Sequence, residues 1–82
     1  MTKLELLKQS ATEHKIAVVV YKRKRDNKVN KYYVEPYSYR PPYVWVWDIK
    51  DKRIKSFLYN SIIKVKISSQ EFEPDPLYKI EF

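Results

Sequence analysis

The chain has 82 residues, with 17 lysines and arginines against 10 acidic residues and neither cysteine nor glycine. This length makes one domain, able to hide only about 60–65% of the surface its unfolded form exposes, and without cysteine it has no disulfide framework or thiolate metal site. The formal charge of +7 favours encounter with polyanions through steering and counterion release.

The N-terminal stretch "MTKLELLKQS" carries acid and polar residues where a signal peptide would be apolar. The longest uninterrupted apolar run, Ile16 to Tyr21, is far short of the ~20 residues of a membrane helix. A soluble, cytoplasmic protein is expected. "TKLELLKQSATEH" predicts a helix over about residues 2–13: Thr2 and Glu5 have capping-box spacing, and Leu4, Leu7 and Ala11 share a face. Three turns do not stand alone in water, so this helix must dock. From Lys15 onward the pattern is that of strands. "IAVVVYK" is apolar on both faces, and strands are predicted at about 16–24, 31–39, 43–49, 54–60 and 62–68. "RPP" at Arg40–Pro42 ends the second, because neither proline donates to a ladder. "YVWVWDI" alternates, with Tyr43, Trp45, Trp47 and Ile49 on one face and Val44 and Val46 on the other. Large rings at strand spacing usually pack, so Trp45 and Trp47 are expected in the core. A tight turn is expected near Asp51–Lys52, and in the last strand Ile63, Val65 and Ile67 are expected to face in, with Lys64 and Lys66 out. Without glycine, positive φ should fall to Asp26–Asn27, Asn30, Asp51 or Asn60. The tail, 70–82, is acidic and broken by proline, although "LYKIEF" is compatible with an edge strand. One helix and five or six short strands argue a small barrel or strongly bent sheet.

"YYVEPY", "YVWVWDIKDKRIKSF" and "NSIIKV" follow one another in an order that resembles the WYL domain. Val34–Glu35–Pro36 falls at the family's triplet, Pro42–Tyr43–Val44 at its name-giving tripeptide, Asp48 at the end of that strand and "EFEP" at its close. The resemblance covers roughly residues 3–74 and implies a mainly β fold: a small SH3-like barrel of about five strands with one N-terminal α-helix. It also implies a regulatory module with a nucleic-acid or nucleotide ligand. Ser61 stands where the family's last motif carries an arginine expected to contact that ligand.

"YKRKRDNKVNK" sets Lys22, Arg23, Lys24, Arg25, Lys28 and Lys31 within eleven residues. Strand alternation would send Lys22 and Lys24 to one face, Arg23 and Arg25 to the other. Phosphates repeat along a strand and each one neutralised releases counterions, so a cationic ribbon suits nucleic acid. A hairpin tip must in any case be polar, and lysines commonly protect sheet edges. Tyr37, Tyr39 and Arg40, beside the prolines, are the candidate rings and cation for a base or a protein partner. No catalytic constellation is found: His14 is the sole histidine, at a helix end, and there is no glycine-rich phosphate loop, metal-ligand spacing or nucleophile elbow. The expectation is a non-enzymatic binding module without cofactor or metal, its partner nucleic acid. The alternative is a protein–protein module or homodimeric adaptor, such as a mobile element's regulator of a host protein. The acidic tail is expected to fold against the basic face of its own or a neighbouring molecule.

Overall fold

The computed structural model describes residues Met1 to Phe82. Helix α1 (Lys3–Thr12) starts at the capping box read from the sequence. The Thr2 hydroxyl accepts the Glu5 N–H at 3.1 Å, and Glu5 Oε1 accepts the Thr2 N–H at 2.9 Å. Its buried face is Leu7, Ser10 and Ala11; Ser10 is tolerated there because its hydroxyl donates to the Lys15 carbonyl. The helix stops where His14 turns left-handed at φ 55, a position glycine would ordinarily take.

Five antiparallel strands follow: β1 (Lys15–Lys22), β2 (Val29–Arg40), β3 (Tyr43–Asp48), β4 (Arg53–Leu58) and, after a one-turn 3-10 helix η1 (Tyr59–Ser61), β5 (Ile62–Glu71). They form one sheet in the order β4-β3-β2-β1-β5. The fold is thus mainly β, a four-strand meander whose fifth strand returns beside the first, with α1 laid on β5, β1 and β2. The sheet bends so far that Tyr21 Oη on β1 accepts the Leu58 N–H at the end of β4, at 3.1 Å.

The first hairpin closes earlier than strand alternation predicts. Arg23 N–H donates to Lys28 O at 2.9 Å and Asn27 N–H to Arg23 O at 2.8 Å. The Asp26 carboxylate fixes this turn by accepting the Lys28 N–H at 3.1 Å and the Arg23 guanidinium at 2.8 Å. Arg23 to Lys28 therefore form a compact loop, and alternation ends at Lys22. Positive φ falls on Asn27 as expected, but also on His14 and Lys52, and on none of Asn30, Asp51 and Asn60. The second hairpin explains Lys52: its N–H donates to Asp48 O at 2.8 Å, which fixes the left-handed position by geometry rather than by residue preference.

The main core lies between the bent sheet and α1 and is built on Leu7, Val19, Val34, Val44, Val46 and Phe57. Tyr21 stacks on Phe57 at 4.4 Å and Tyr32 tilts against it at 5.1 Å. Of the two tryptophans expected in the core, Trp47 packs on a second cluster on the outer face and Trp45 does not, while the main core takes the valines. Val44 and Val46 are fully buried, whereas Trp45 is 36% exposed and Trp47 lies on the outer face. The inner face already receives rings from β1, β2 and β4, leaving room for valines only. In β5 a shift of register between the partners of Val20 and Tyr21 buries Ile62 and turns Ile63 outward, 53% exposed.

Residues 72–82 form a strap over the outer face. Phe72, Tyr37 and Ile16 make a second core, packed by Trp47, Tyr78 and Ile80. Glu81 N–H donates to Tyr37 O at 2.8 Å and Tyr39 N–H to Glu81 O at 3.0 Å, so the edge strand read into "LYKIEF" is a single parallel bridge. Of its two expected placements, the tail does not take the one on its own basic hairpin. Its ion pairs are Glu71 with Lys15 and Glu81 with Lys79, at 3.5 and 3.8 Å, because its apolar residues draw it over β2 and β3.

The Tyr37 hydroxyl donates to Glu35 Oε1 at 2.8 Å and accepts the Asp75 N–H at 3.0 Å. Burial, reinforced by the adjoining Glu35 and Asp75 carboxylates, pushes its pKa up to about 12. The folded value lies above the unfolded one of about 10, so the folded state holds this proton longer. The associated stability is complete below about pH 10 and is lost as pH climbs through the folded value. An alkaline titration followed by phenolate absorbance should show a step near pH 12 that Tyr37→Phe removes. Persistence of that step in the variant would contradict the assignment.

Candidate nucleic-acid interface

In the meander, β1 ends where β2 begins and β3 ends where β4 begins, so loops 23–28 and 49–52 stand together at one end of the sheet. Between them lies a recess of about 340 Å³ whose lining carries five cations, Arg23, Lys31, Lys50, Arg53 and Lys55, with Tyr32 and Tyr33. The two acids in it, Asp48 and Asp51, are both engaged. Asp48, 2% exposed, accepts the Lys50 N–H at 2.9 Å and the Asp51 N–H at 3.3 Å through Oδ1, and meets Lys55 Nζ at 2.7 Å through Oδ2. Lys55 also bonds Asp51 at 2.5 Å and lies 5.2 Å from the centre of the Tyr32 ring. Burial alone would lower the Lys55 pKa, but its bonds to Asp48 and Asp51 more than offset this and raise it. Those bonds in turn hold Asp51 below the usual carboxylate range.

Lys55 and its two carboxylates thus form a closed structural unit that fixes the second hairpin. Lys31, Lys50 and Arg53 make no ion pair, and Arg23, though paired with Asp26, has a buried Nε without a hydrogen-bond partner. The Lys55 unit keeps one net negative charge, so the five cations and two acids of the lining leave the recess with converging donors and a net charge of +3.

The residues singled out in the sequence separate into two groups. Arg23 and Lys31 line the recess, and Lys22, Lys24, Arg25 and Lys28 are exposed around the same tip with no acidic partner. Tyr37, Tyr39 and Arg40 do not join them. Tyr37 is 2% exposed in the second core, so it has no free face for a base. Tyr39 is half-buried, packed against the main core and 5.5 Å from the Tyr59 ring. Arg40 is nine positions along β2 from Lys31, on the order of 30 Å of strand, and lines a separate recess of about 400 Å³ beside Trp45. All three lie at the far end of β2, where Tyr37 enters the second core, Tyr39 packs on the main core and Arg40 stands remote from the recess. The sequence reading missed Lys50 and Arg53. "DIKDKRIK" carries their signal, two cations flanking a turn.

No protein-family model matches the chain. No curated protein matches it. Among solved structures it is similar to the proteasome accessory factor B/C (PafBC) of Arthrobacter aurescens, with a TM-score of 0.74 and 12% identity. The match takes in 83% of this chain but only 11% of that one. At this identity the likeness establishes the fold alone. No helix is long and apolar enough to cross a membrane.

Proposed function

We propose that this chain is a non-enzymatic regulatory binding module whose ligand is nucleic acid, a single strand or a nucleotide, held in the recess between the two hairpin tips. The observation that supports this reading most strongly is the convergence of Arg23, Lys31, Lys50 and Arg53 on one concavity whose two carboxylates are already bound by Lys55. Phosphate oxygens would take the free donors, and the half-exposed Tyr33 ring at the rim gives a base a face on which to stack. A second reading, a protein–protein module or homodimeric adaptor, rests on Tyr43 and Trp45, 41% and 36% exposed. They lie near Arg40 and are residue types that anchor interfaces.

Salt separates the two, since phosphate binding weakens steeply with salt and an aromatic interface does not. Fluorescence anisotropy of a labelled single strand of about 20 nucleotides at about 50 and 200 mM salt should show binding with a steep slope. Changing Lys31, Lys50 and Arg53 to glutamine should flatten that slope by about 2, three contacts at ~0.7 each. Absence of binding by the native chain at the lower salt would reject the nucleic-acid reading and move the search to Trp45 and Arg40.

A further inference from the structure

The strap divides the outer face of the sheet. Over β2 and β3 it lays Phe72, Tyr78 and Ile80, and with them Glu73, Asp75 and Glu81. Beyond Ile16, which Phe72 covers, the other half, the outer face of residues 31–33 of β2, 18–20 of β1 and 64–66 of β5, lies outside the strap. Pairing register fixes what that half displays. Lys31, Val20 and Lys64 form one cross-strand row, and Tyr33, Val18 and Lys66 the next. The row between them on the opposite face, Tyr32, Val19 and Val65, goes into the main core, so both outer rows point away from it. Lys31, Lys64 and Lys66 are exposed, Tyr33 is 50% exposed, and Val18 and Val20 between them are half-buried. None of the three lysines has an acidic partner.

We infer that this uncovered half-sheet is a track for the backbone of an extended single-stranded nucleic acid, continuing out of the recess over Tyr33 and Lys31 to Lys64 and Lys66. The inference rests on the nucleic-acid reading above and extends its footprint. Three features carry it. The two rows hold cations and no acid, the complement of a phosphodiester chain. Lys64 and Lys66 stand two residues apart on one strand, about 6.8 Å, close to one nucleotide of extended backbone, and Lys31 lies across two strand spacings, about 9.6 Å from Lys64. Finally, Lys31 and Tyr33 belong both to the track and to the lining of the recess, so the two surfaces are continuous. A lysine row that only protected an edge would be confined to the edge strand, whereas this one crosses from β5 to β2.

The test is the salt dependence of anisotropy with labelled oligothymidylate of about 20 nucleotides for three proteins: the native chain, Lys64→Gln/Lys66→Gln, and Lys8→Gln/Lys79→Gln as a charge-matched control away from the track. Loss of two phosphate contacts should lower the slope by about 1.4 in the first variant, at ~0.7 per contact, and leave it unchanged in the control. Thermal melts by circular dichroism should coincide for all three, since every altered side chain is exposed. An unchanged slope in Lys64→Gln/Lys66→Gln, with binding still weakened by the Lys31, Lys50 and Arg53 changes, would overturn the track and spare the recess. An equal fall in the control would also overturn it, by reducing it to net charge. No binding by the native chain would remove both. If the first variant instead loses only its binding to phosphatidylserine vesicles, the face belongs to an anionic membrane surface and the track is rejected.

Discussion

Ending the chain at Glu71 should abolish cooperative folding. The strap removed by that truncation supplies Phe72, 8% exposed, to the second core, packs Tyr78 and Ile80 beside it, and lays Phe82 against the main core. Truncating one buried phenylalanine to alanine costs about 3–5 kcal/mol. The strap's hydrogen bonds to Tyr37 and Tyr39 add about 1 kcal/mol each. An 82-residue chain has on the order of 4–12 kcal/mol in total, so the loss approaches all of it. Urea unfolding followed by circular dichroism and tryptophan emission reads this directly. The native chain should give one sigmoidal transition, and the truncated chain a broad one with emission already shifted to the red, because Trp47 loses Tyr78, 6.3 Å away ring to ring. Phe72→Ala, at about 3 kcal/mol, should fall between them. An unchanged midpoint after truncation would mean that the second core contributes nothing.

Asp48→Ala should be the most damaging single change among the polar residues, costing about 2–4 kcal/mol. The carboxylate is 2% exposed and satisfies two backbone N–H groups and the Lys55 ammonium together. Alanine leaves the two N–H groups without an acceptor and Lys55 with Asp51 alone. Asp48→Asn keeps an oxygen for the N–H groups and loses only the charge, so it should cost roughly half as much. Equal midpoints for the two variants in urea would show that the turn depends on charge and not on the cap. Neither should affect α1, which makes no contact with this hairpin among its hydrogen bonds.

The helix was legible almost to the residue, because a capping box is a local signal and its two bonds form wherever three helical residues follow it. Strand positions were legible for a similar reason: alternation and turn residues are properties of a few neighbours. What alternation cannot supply is its sign. Tyr43, Trp45 and Trp47 share one face of β3 as read, yet which face meets the core depends on the rings that β1, β2 and β4 already place inside. The irregularities at Tyr37 and Ile63 each exchange inside for outside over a single residue and leave no local mark in the sequence. The tail's return is legible in "LYKIEF", but not the face it covers, because Phe72, Tyr78 and Ile80 are spaced by prolines and acids with no period. For the candidate site, the basic tip was visible as a charge run. Its partner was not, since Lys50 and Arg53 reach it only through the folding of a second hairpin.

The division of the outer sheet face makes the molecule an electric dipole as well as a cation. Glu73, Asp75 and Glu81 ride on the strap with Lys79 as its one cation, while Lys22, Lys31, Lys64 and Lys66 occupy the opposite half. The molecule measures 33 × 28 × 24 Å. In dilute buffer, at about 0.01 M salt, the screening length is about 30 Å, comparable to the whole protein, and an approaching polyanion feels chiefly the sum, +7. At about 0.15 M the length falls to about 8 Å, and the difference between the halves acts only on a polyanion already close to the surface. In dilute buffer the lysine half pulls harder than the strap half from much farther away, so the protein is turned before it touches. Salt therefore governs the geometry of arrival as well as the strength of attraction, and association measured in dilute buffer would be more strongly oriented than at physiological salt.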